Sequence, residues 1–252
     1  MCTVTWWQHP ESFAYEVFFN RDEQHSRGDS TPPTIACSRG LDYLAPADID
    51  HGGTWLLVNV HGVSLALLNC YPDDPALPEA PRSRGKLLRD LADAASVTAV
   101  ATRLAREDVS CYSAFFLLAF GRGEKPRQWV WDTYDLQGIA LPENLPILTS
   151  SSHLSDKIEQ HRRELFVREY SAPGRLEPEH LAQFHQHREP HRPAYGILMD
   201  RPDSRTLSIS RLQVGPGPEA VFTYQARPFH DGVLPEPAII TRLNLSSPAP
   251  AS

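Results

Sequence analysis

Short hydrophobic runs separated by turn-forming residues dominate the first part of the chain. TVTWW and FAYEVFF are rich in β-branched and aromatic residues and flank QHPES, which predicts a first β-hairpin. TWLLVNV and VSLALLN flank His61-Gly62 and predict a second hairpin. Their almost continuous apolar character is typical of strands that are covered on both faces. The first hairpin would return the NRDE stretch, residues 20–23, towards Cys2.

Helical periodicity begins after the second hairpin. SRGKLLRDLADAA places Leu87, Leu88 and Leu91 on one face, and SVTAVATRLARE follows a candidate N-cap at Ser96. YSAFFLLAFGR and RQWVWDTYD predict another hairpin, LPILTSS a short strand, and DKIEQHRRELFVREY and LEPEHLAQFHQH two further helices. YGILMD, TLSISRLQV, EAVFTYQAR and AIITRLNL predict a return to strands.

This order of elements predicts an α+β domain of two mainly antiparallel sheets with helices on the outside. Residues 1–245 are expected to form one domain, and residues 246–252 a disordered tail rich in proline, serine and alanine. Prolines also gather in TPP near residue 32 and in PDDPALPEAP, which we interpret as stiff surface connections.

Composition and charge narrow the classes of function. Lysine plus arginine number 24 against 31 aspartates plus glutamates, a net charge of -7, which disfavours a nucleic-acid partner. No segment approaches the roughly 18 consecutive apolar residues of a membrane span, and the N-terminus lacks the pattern of a secretory signal, so we expect a cytoplasmic protein. Cys2, Cys37, Cys70 and Cys111 include no CxxC pair, which indicates reduced thiols. The oligomeric state cannot be read from the sequence.

A histidine-rich run invites a metal hypothesis. HLAQFHQHREPHR contains His180, His185, His187 and His191, of which the last two are four residues apart. No carboxylate or cysteine stands at a convincing spacing to complete a site. We therefore favour a solvated helix face and predict no metal.

Cys2 is the candidate chemical centre. Initiator methionine is removed most readily ahead of a small residue, which would leave Cys2 with both a thiol and a free α-amine. An α-amine has a pKa of about 8 and can act as the base for its own thiol. Such a nucleophile needs a carboxylate to orient the amine and a guanidinium to favour the thiolate, and Asp22 and Arg21 supply them. The simpler alternatives are a buried structural thiol and an exposed charged pair at a strand end.

Several motifs in order along the chain resemble a known family. MCT at the start, NRDE followed by Arg27, GGTW at residues 52–55, Asn69 at a strand end, SRGKLL and YSAFFLLAF resemble the NRDE family, also called the transport and Golgi organisation 2 family. That family is similar to the N-terminal-nucleophile hydrolases, especially the choloylglycine hydrolase and penicillin V acylase branch. The resemblance covers most of the chain and is weakest in its C-terminal third. It implies a four-layer αββα sandwich, in agreement with the element order.

The resemblance also implies further catalytic residues. ALLN places Asn69 at the oxyanion hole, and ILTS places Ser150 where the branch has an asparagine. A serine hydroxyl is shorter than that amide and has one donor. The final catalytic arginine of the branch is assigned to Arg192 in HRPAYGIL.

Four other residues are predicted to bind substrate: Asn20, Gly53, Trp55 and Ser151. Structural alternatives stay open at this point. Gly53 could serve close backbone approach, Trp55 could be a core anchor, and the stretch that includes Ser151 could cap a helix. Asn69 could equally be a turn residue.

Two functions follow. The first is a cysteine amidohydrolase or acyltransferase that needs no cofactor and acts on the non-peptide C–N bond of a small amide, or on a thioester. The second is a non-catalytic carrier that uses the same pocket for haem, a lipid or acyl-CoA, since roles in haem trafficking and lipid homeostasis are proposed for the family. A scaffold with surface contacts only is a third alternative.

Overall fold

Two antiparallel β-sheets pack face to face, and two helices cover the outer surface of each. This is the four-layer αββα sandwich predicted from the sequence. The computed structural model describes residues 2–12, 14–78, 81–142, 145–170, 176–228 and 235–246. Apart from Ser246, whose N–H donates to the Val60 carbonyl, the predicted tail lies outside these residues.

The first sheet has six strands and contains the N-terminal hairpin at its centre. In spatial order its strands are β10 (Ile147–Ser150), β1 (Cys2–Gln8), β2 (Tyr15–Gln24), β11 (Ser204–Val214), β12 (Glu219–Ala226) and β13 (Ile239–Asn244).

The second sheet has seven strands in chain order. They are β3 (Ser30–Ser38), β4 (Leu41–Asp48), β5 (Leu56–Asn59), β6 (Val63–Asn69), β7 (Phe115–Gly121), β8 (Arg127–Trp131) and β9 (Leu136–Ile139). The TPP stretch lies within β3, so its interpretation as a surface connection was wrong. β3 is an edge strand whose register shifts between Thr31 and Thr34, and an edge tolerates prolines because they cannot donate to a neighbouring strand.

The four helices occupy the segments in which periodicity predicted them. They are α1 (Arg84–Asp90), α2 (Val97–Leu104), α3 (Ser155–Glu169) and α4 (Pro178–His185). Ser96 caps α2 as predicted, because its side chain accepts the N–H of Ala99. None of the helices in the described part of the chain is long and apolar enough to cross a lipid bilayer.

YGILMD does not form the predicted strand. A short 3₁₀-helix occupies Pro193–Tyr195, and the N–H groups of Ile197 and Leu198 both donate to the His187 carbonyl instead of to a strand. Pro193 fixes the backbone at the start of the 3₁₀ turn, which competes with extended structure.

Three hydrophobic layers hold the sandwich together. Val4 and Leu68 belong to the core between the sheets, and Leu88 belongs to the layer under α1 and α2. Leu165 and Phe184 belong to the layer under α3 and α4. Both faces of each sheet are therefore covered, which explains the nearly continuous apolar strands of the second hairpin.

A glycine–glycine contact joins the start of α1 to the loop that precedes β5. A Cβ added to Gly85 would lie 2.7 Å from the amide nitrogen of Thr54 and 2.8 Å from the Cα of Gly53. Both are backbone atoms, which cannot rotate away. We expect Gly85→Ala to lower the free energy of unfolding by about 1–3 kcal/mol in urea denaturation. At Gly217 an added Cβ meets nothing within 4 Å, so Gly217→Ala is the control, and equal effects of the two substitutions would contradict the contact.

Candidate active site

Cys2 lies at the end of the sandwich where β1 begins. The antiparallel register pairs it with Arg21 on β2 and with Ser150 on β10. Its side chain is partly buried and lines a cavity of about 620 Å³. Burial raises the pKa of the thiol to about 11. The thiol is therefore protonated at neutral pH, and any attack by its sulfur requires a base.

Arg21 is a buried cation fixed from two sides. Its Nη2 donates to Oδ2 of Asp48 at 2.7 Å, and its guanidinium carbon lies 4.5 Å from the ring centroid of Trp55. Its Nη1 has no hydrogen-bond partner within the described residues. Arg21 thus presents one unused donor from the strand beside Cys2.

Asp48, at the end of β4, is a site residue that the sequence did not reveal. Its Oδ1 accepts the backbone N–H groups of Asp50 and His51. Burial alone would raise the pKa of Asp48, but the His51 N–H and the Arg21 guanidinium hold it below its ordinary value. No pattern around Asp48 distinguishes it from the neighbouring acidic residue, because its partner stands far away in sequence.

Asp22 is fully buried and is held by α3 and β11. Its Oδ1 accepts the Thr206 hydroxyl at 2.6 Å, and its Oδ2 lies 3.6 Å from Nη1 of Arg162. Burial raises the pKa of Asp22, while Arg162 and Thr206 oppose that rise. The register of β11 shifts between Thr206 and Ser208, opposite the NRDE residues, and such irregularities re-aim side chains at the ends of strands.

Arg162 was missed by the sequence reasoning, although a signal was present. It lies four residues after Ile158 on the apolar stripe of α3 and is fully buried. Its guanidinium donates to the Thr3 hydroxyl at 2.9 Å and to the Gly196 carbonyl at 2.7 Å. A charged residue on the buried face of a predicted helix is the pattern that would have identified it.

Asn20 faces the helical layer, and it does not line the cavity. Its Nδ2 donates to the carbonyls of His185 and Ile197 at 3.0 and 2.9 Å. Its Oδ1 accepts Nδ1–H of His185 at 2.8 Å, which leaves Nε2 of that ring to accept the Thr5 hydroxyl at 2.9 Å. The solvated face predicted for His185 is wrong, because α4 turns this residue fully inward.

Acidification should lower the free energy of unfolding, because His185 is buried in its neutral form. Burial lowers the pKa of this ring from 6.5 to about 3. Between pH 6.5 and 3 the unfolded chain therefore binds a proton at this residue, whereas the folded chain does not. The free energy of unfolding falls over this range as the pH drops, by roughly 1.4 kcal/mol per pH unit from this group. In urea denaturation between pH 6 and 4.5, His185→Gln should show a shallower decline than wild type. The exposed His191→Gln is the control, and equal slopes in all three proteins would contradict the assignment.

Asn69 and Ser150 approach Cys2 from different sheets. Asn69 ends β6 and lines the cavity, with its Nδ2 donating to the Tyr71 hydroxyl at 3.0 Å. Ser150 is buried beside Cys2, and its Oγ has no hydrogen-bond partner in the portion of the chain that is described. Asn69 is among the cavity-lining residues with Cys2, whereas Ser150 is not.

The remaining predicted residues divide between the cavity and the surrounding structure. Gly53 and Trp55 line the cavity. Ser151 donates its hydroxyl to the His153 carbonyl at 2.8 Å. The N-cap of α3 is Leu154, without a side-chain cap hydrogen bond among the described residues, so Ser151 holds the loop before the helix and does not cap it. Arg192 is exposed, its guanidinium carbon 4.8 Å from the ring centroid of Tyr195, and it is not among the cavity-lining residues.

One group of side chains beside the cavity has the spacing of metal ligands. Atoms of Asp48, Asp50 and His51 lie within 4.8 Å of one another. Both oxygens of Asp48 already accept hydrogen bonds, from Arg21 and from backbone N–H groups. A cation at this group would compete with those bonds, so the group fits a turn better than a metal.

The sequence profile of the Transport and Golgi organisation 2 family matches residues 1–199. The chain belongs to this family. No curated protein matches it in sequence.

Solved structures place this Transport and Golgi organisation 2 protein within a wider fold. A conjugated bile acid hydrolase variant from Clostridium perfringens is 14% identical with a TM-score of 0.54, over 97% of this chain and 92% of that one. A Caenorhabditis elegans ortholog of N-acylethanolamine-hydrolyzing acid amidase is 12% identical with a TM-score of 0.56, over 84% and 92%. Penicillin V acylase from Agrobacterium tumefaciens is 10% identical with a TM-score of 0.52, over 96% and 86%. The N-terminal-nucleophile hydrolase fold is therefore confirmed.

Proposed function

We propose that this protein is a cysteine amidohydrolase in which Cys2, once Met1 has been removed, is the nucleophile. The observation that carries the proposal is the position of Cys2. It begins a central hairpin, opens into a cavity, and has Arg21, Asp22 and Ser150 as its neighbours on the adjacent strands.

The chemistry follows from the protonation states. The α-amine of Cys2 takes the thiol proton, and the sulfur attacks the amide carbon to give a tetrahedral oxyanion. The C–N bond then breaks, the α-ammonium returns its proton to the departing amine, and the acyl group stays on sulfur as a thioester. Water, deprotonated by the same α-amine, cleaves this thioester to a carboxylic acid and restores the thiol. Asp22 orients the amine, and Asn69 and Ser150 donate to the oxyanion.

The cavity favours a small polar substrate over a large apolar ligand. Its volume of about 620 Å³ falls in the range of small-molecule sites. Charged side chains are numerous in its lining, namely Arg21, Glu23, Arg27, Asp48, Asp50, Arg82, Arg84 and Lys86. Apolar pockets are the usual choice for lipids. Binding of haem or of a lipid stays a prediction, and saturable titration with haem or acyl-CoA would test it.

Removing the sulfur of Cys2 should nearly abolish hydrolysis. We expect Cys2→Ala to reduce release of amine from a panel of small N-acyl amides by roughly 10³-fold or more, since the residue both attacks and holds the acyl group. Cys70→Ala is the matched control, because that thiol follows β6 near the same end of the sandwich, and its variant should keep wild-type rates. Hydrolysis by Cys2→Ala within about twofold of wild type would overturn the proposed function.

A further inference from the structure

Arg84 is a cation of the cavity that has no ion-pair partner in the part of the chain that the structure describes. It begins α1, and its Nη1 donates to the Ala114 carbonyl at 2.8 Å. Among the described residues no acidic side chain forms an ion pair with Arg84. The Nε and Nη2 edge of the guanidinium is left without a protein partner in the same residues.

The other arginines of the cavity differ in this respect. Arg21 pairs with Asp48 at 2.7 Å. Arg82 pairs with Asp90 at 3.3 Å and with Glu107 at 3.2 Å. Their charges are thus neutralised before any ligand arrives, whereas that of Arg84 is not.

Partial burial makes an unpaired arginine costly. Removal from water lowers the pKa of Arg84, while the nearby Tyr71, Cys2 and Glu23 oppose that change without forming an ion pair with it among the described residues. Arginine stays protonated in proteins, so loss of a proton does not relieve the free-energy cost of burying its charge. A bound anion would offset it, because a guanidinium with two free N–H donors on one edge matches the two oxygens of a carboxylate.

A second cation lies on the same helix. Lys86 lines the cavity, is exposed, and forms no ion pair with any residue that the structure describes. The wall built by α1 therefore carries two positive charges, Arg84 and Lys86, that form no ion pair with any described residue. This wall and Cys2 border one cavity, so an anionic ligand that contacts the sulfur is also attracted by these two cations.

We propose that the substrate is an anionic amide whose carboxylate binds the free edge of Arg84, with Lys86 adding attraction at the mouth of the cavity. The inference rests on the proposed function, because Cys2 marks the reacting end of the substrate. Recognition of the anion can still be measured without turnover, so the two proposals fail separately.

The test compares iodoacetate with iodoacetamide as alkylating agents of Cys2. The two reagents form the same S–C bond with loss of iodide, and they differ in carrying a carboxylate or a neutral amide. The rate at Cys2 is followed by mass spectrometry of the N-terminal peptide, and the ratio of the iodoacetate rate to the iodoacetamide rate reports anion recognition. We expect Arg84→Gln to lower this ratio about tenfold and Arg84→Lys to retain much of it.

Arg82→Gln is the matched control, because it removes an arginine of the same cavity that already has acidic partners, and its ratio should stay close to wild type. An unchanged ratio in Arg84→Gln overturns the inference. If Arg84→Gln does not fold, the wild-type protein decides the matter. Acetate should protect Cys2 from iodoacetamide better than acetamide does at equal concentration and ionic strength, and equal protection overturns the inference. Loss of hydrolysis in the presence of an intact ratio counts against the proposed function alone.

Discussion

Insertion of a lysine between Met1 and Cys2 is expected to abolish hydrolysis while leaving the fold intact. A large residue after Met1 disfavours methionine removal, and the α-amine would in any case no longer belong to Cys2. The thiol would lose its base, and its pKa of about 11 leaves almost no thiolate at neutral pH. Loss of a positioned general base costs about 10²–10⁴-fold in rate. Release of amine from the best substrate of the panel measures the effect.

The matched control inserts glycine in place of lysine at the same position. Removal of Met1 would then leave a glycine ahead of Cys2, which again separates amine from thiol, so both insertions should be inactive. A melting temperature and a far-ultraviolet circular dichroism spectrum like those of wild type would show that the fold is intact. Wild-type rates in either insertion variant would contradict the role of the amine.

Replacement of Arg162 by methionine is expected to lower the free energy of unfolding by about 3–5 kcal/mol, because it removes the cation that faces the buried carboxylate of Asp22. It also removes donors to Thr3 and Gly196. Denaturant unfolding at neutral pH measures the loss. The exposed Arg163, whose partner is Glu159, is the control, and Arg163→Met should cost less than about 1 kcal/mol.

The pH dependence of Arg162→Met identifies Asp22 as the cause. Burial already raises the pKa of Asp22, and without Arg162 the folded pKa should rise further. A raised folded pKa means that the folded chain holds a proton that the unfolded chain releases. The difference in free energy of unfolding between wild type and Arg162→Met should therefore be smallest in acid. It should grow as the pH rises towards the pKa of Asp22 in the folded variant. Adding Asp22→Asn should recover part of the loss. A deficit that is independent of pH and unaffected by Asp22→Asn would contradict this explanation.

Most elements of the four-layer sandwich could be predicted from the sequence, because apolar residues recur along its strands and helices at the spacing typical of each. Antiparallel pairing of the first hairpin was enough to place Arg21 beside Cys2, since a short turn fixes the register. The prediction was wrong at two segments that contain or follow a proline. TPP lies in an edge strand, and YGILMD follows a proline that starts a 3₁₀ turn.

Long-range polar contacts account for the site residues that the sequence did not reveal. Asp48 reaches Arg21 from the other sheet, and Arg162 reaches Asp22 from α3, so neither pair has a local spacing to recognise. The resemblance assigns the final catalytic arginine to Arg192, which lies exposed over Tyr195 and is not among the cavity-lining residues. His185 was grouped with solvated histidines, although the apolar stripe of α4 carries it inward.

The most direct test of Cys2 as an N-terminal nucleophile is the intact mass of the purified protein before and during turnover of a slow amide substrate. We expect a resting mass without Met1 and, after acid quenching, an added acyl group that maps to Cys2 as the first residue. A resting mass that includes Met1, or an acyl group found on another residue while Cys2 stays free, would contradict it.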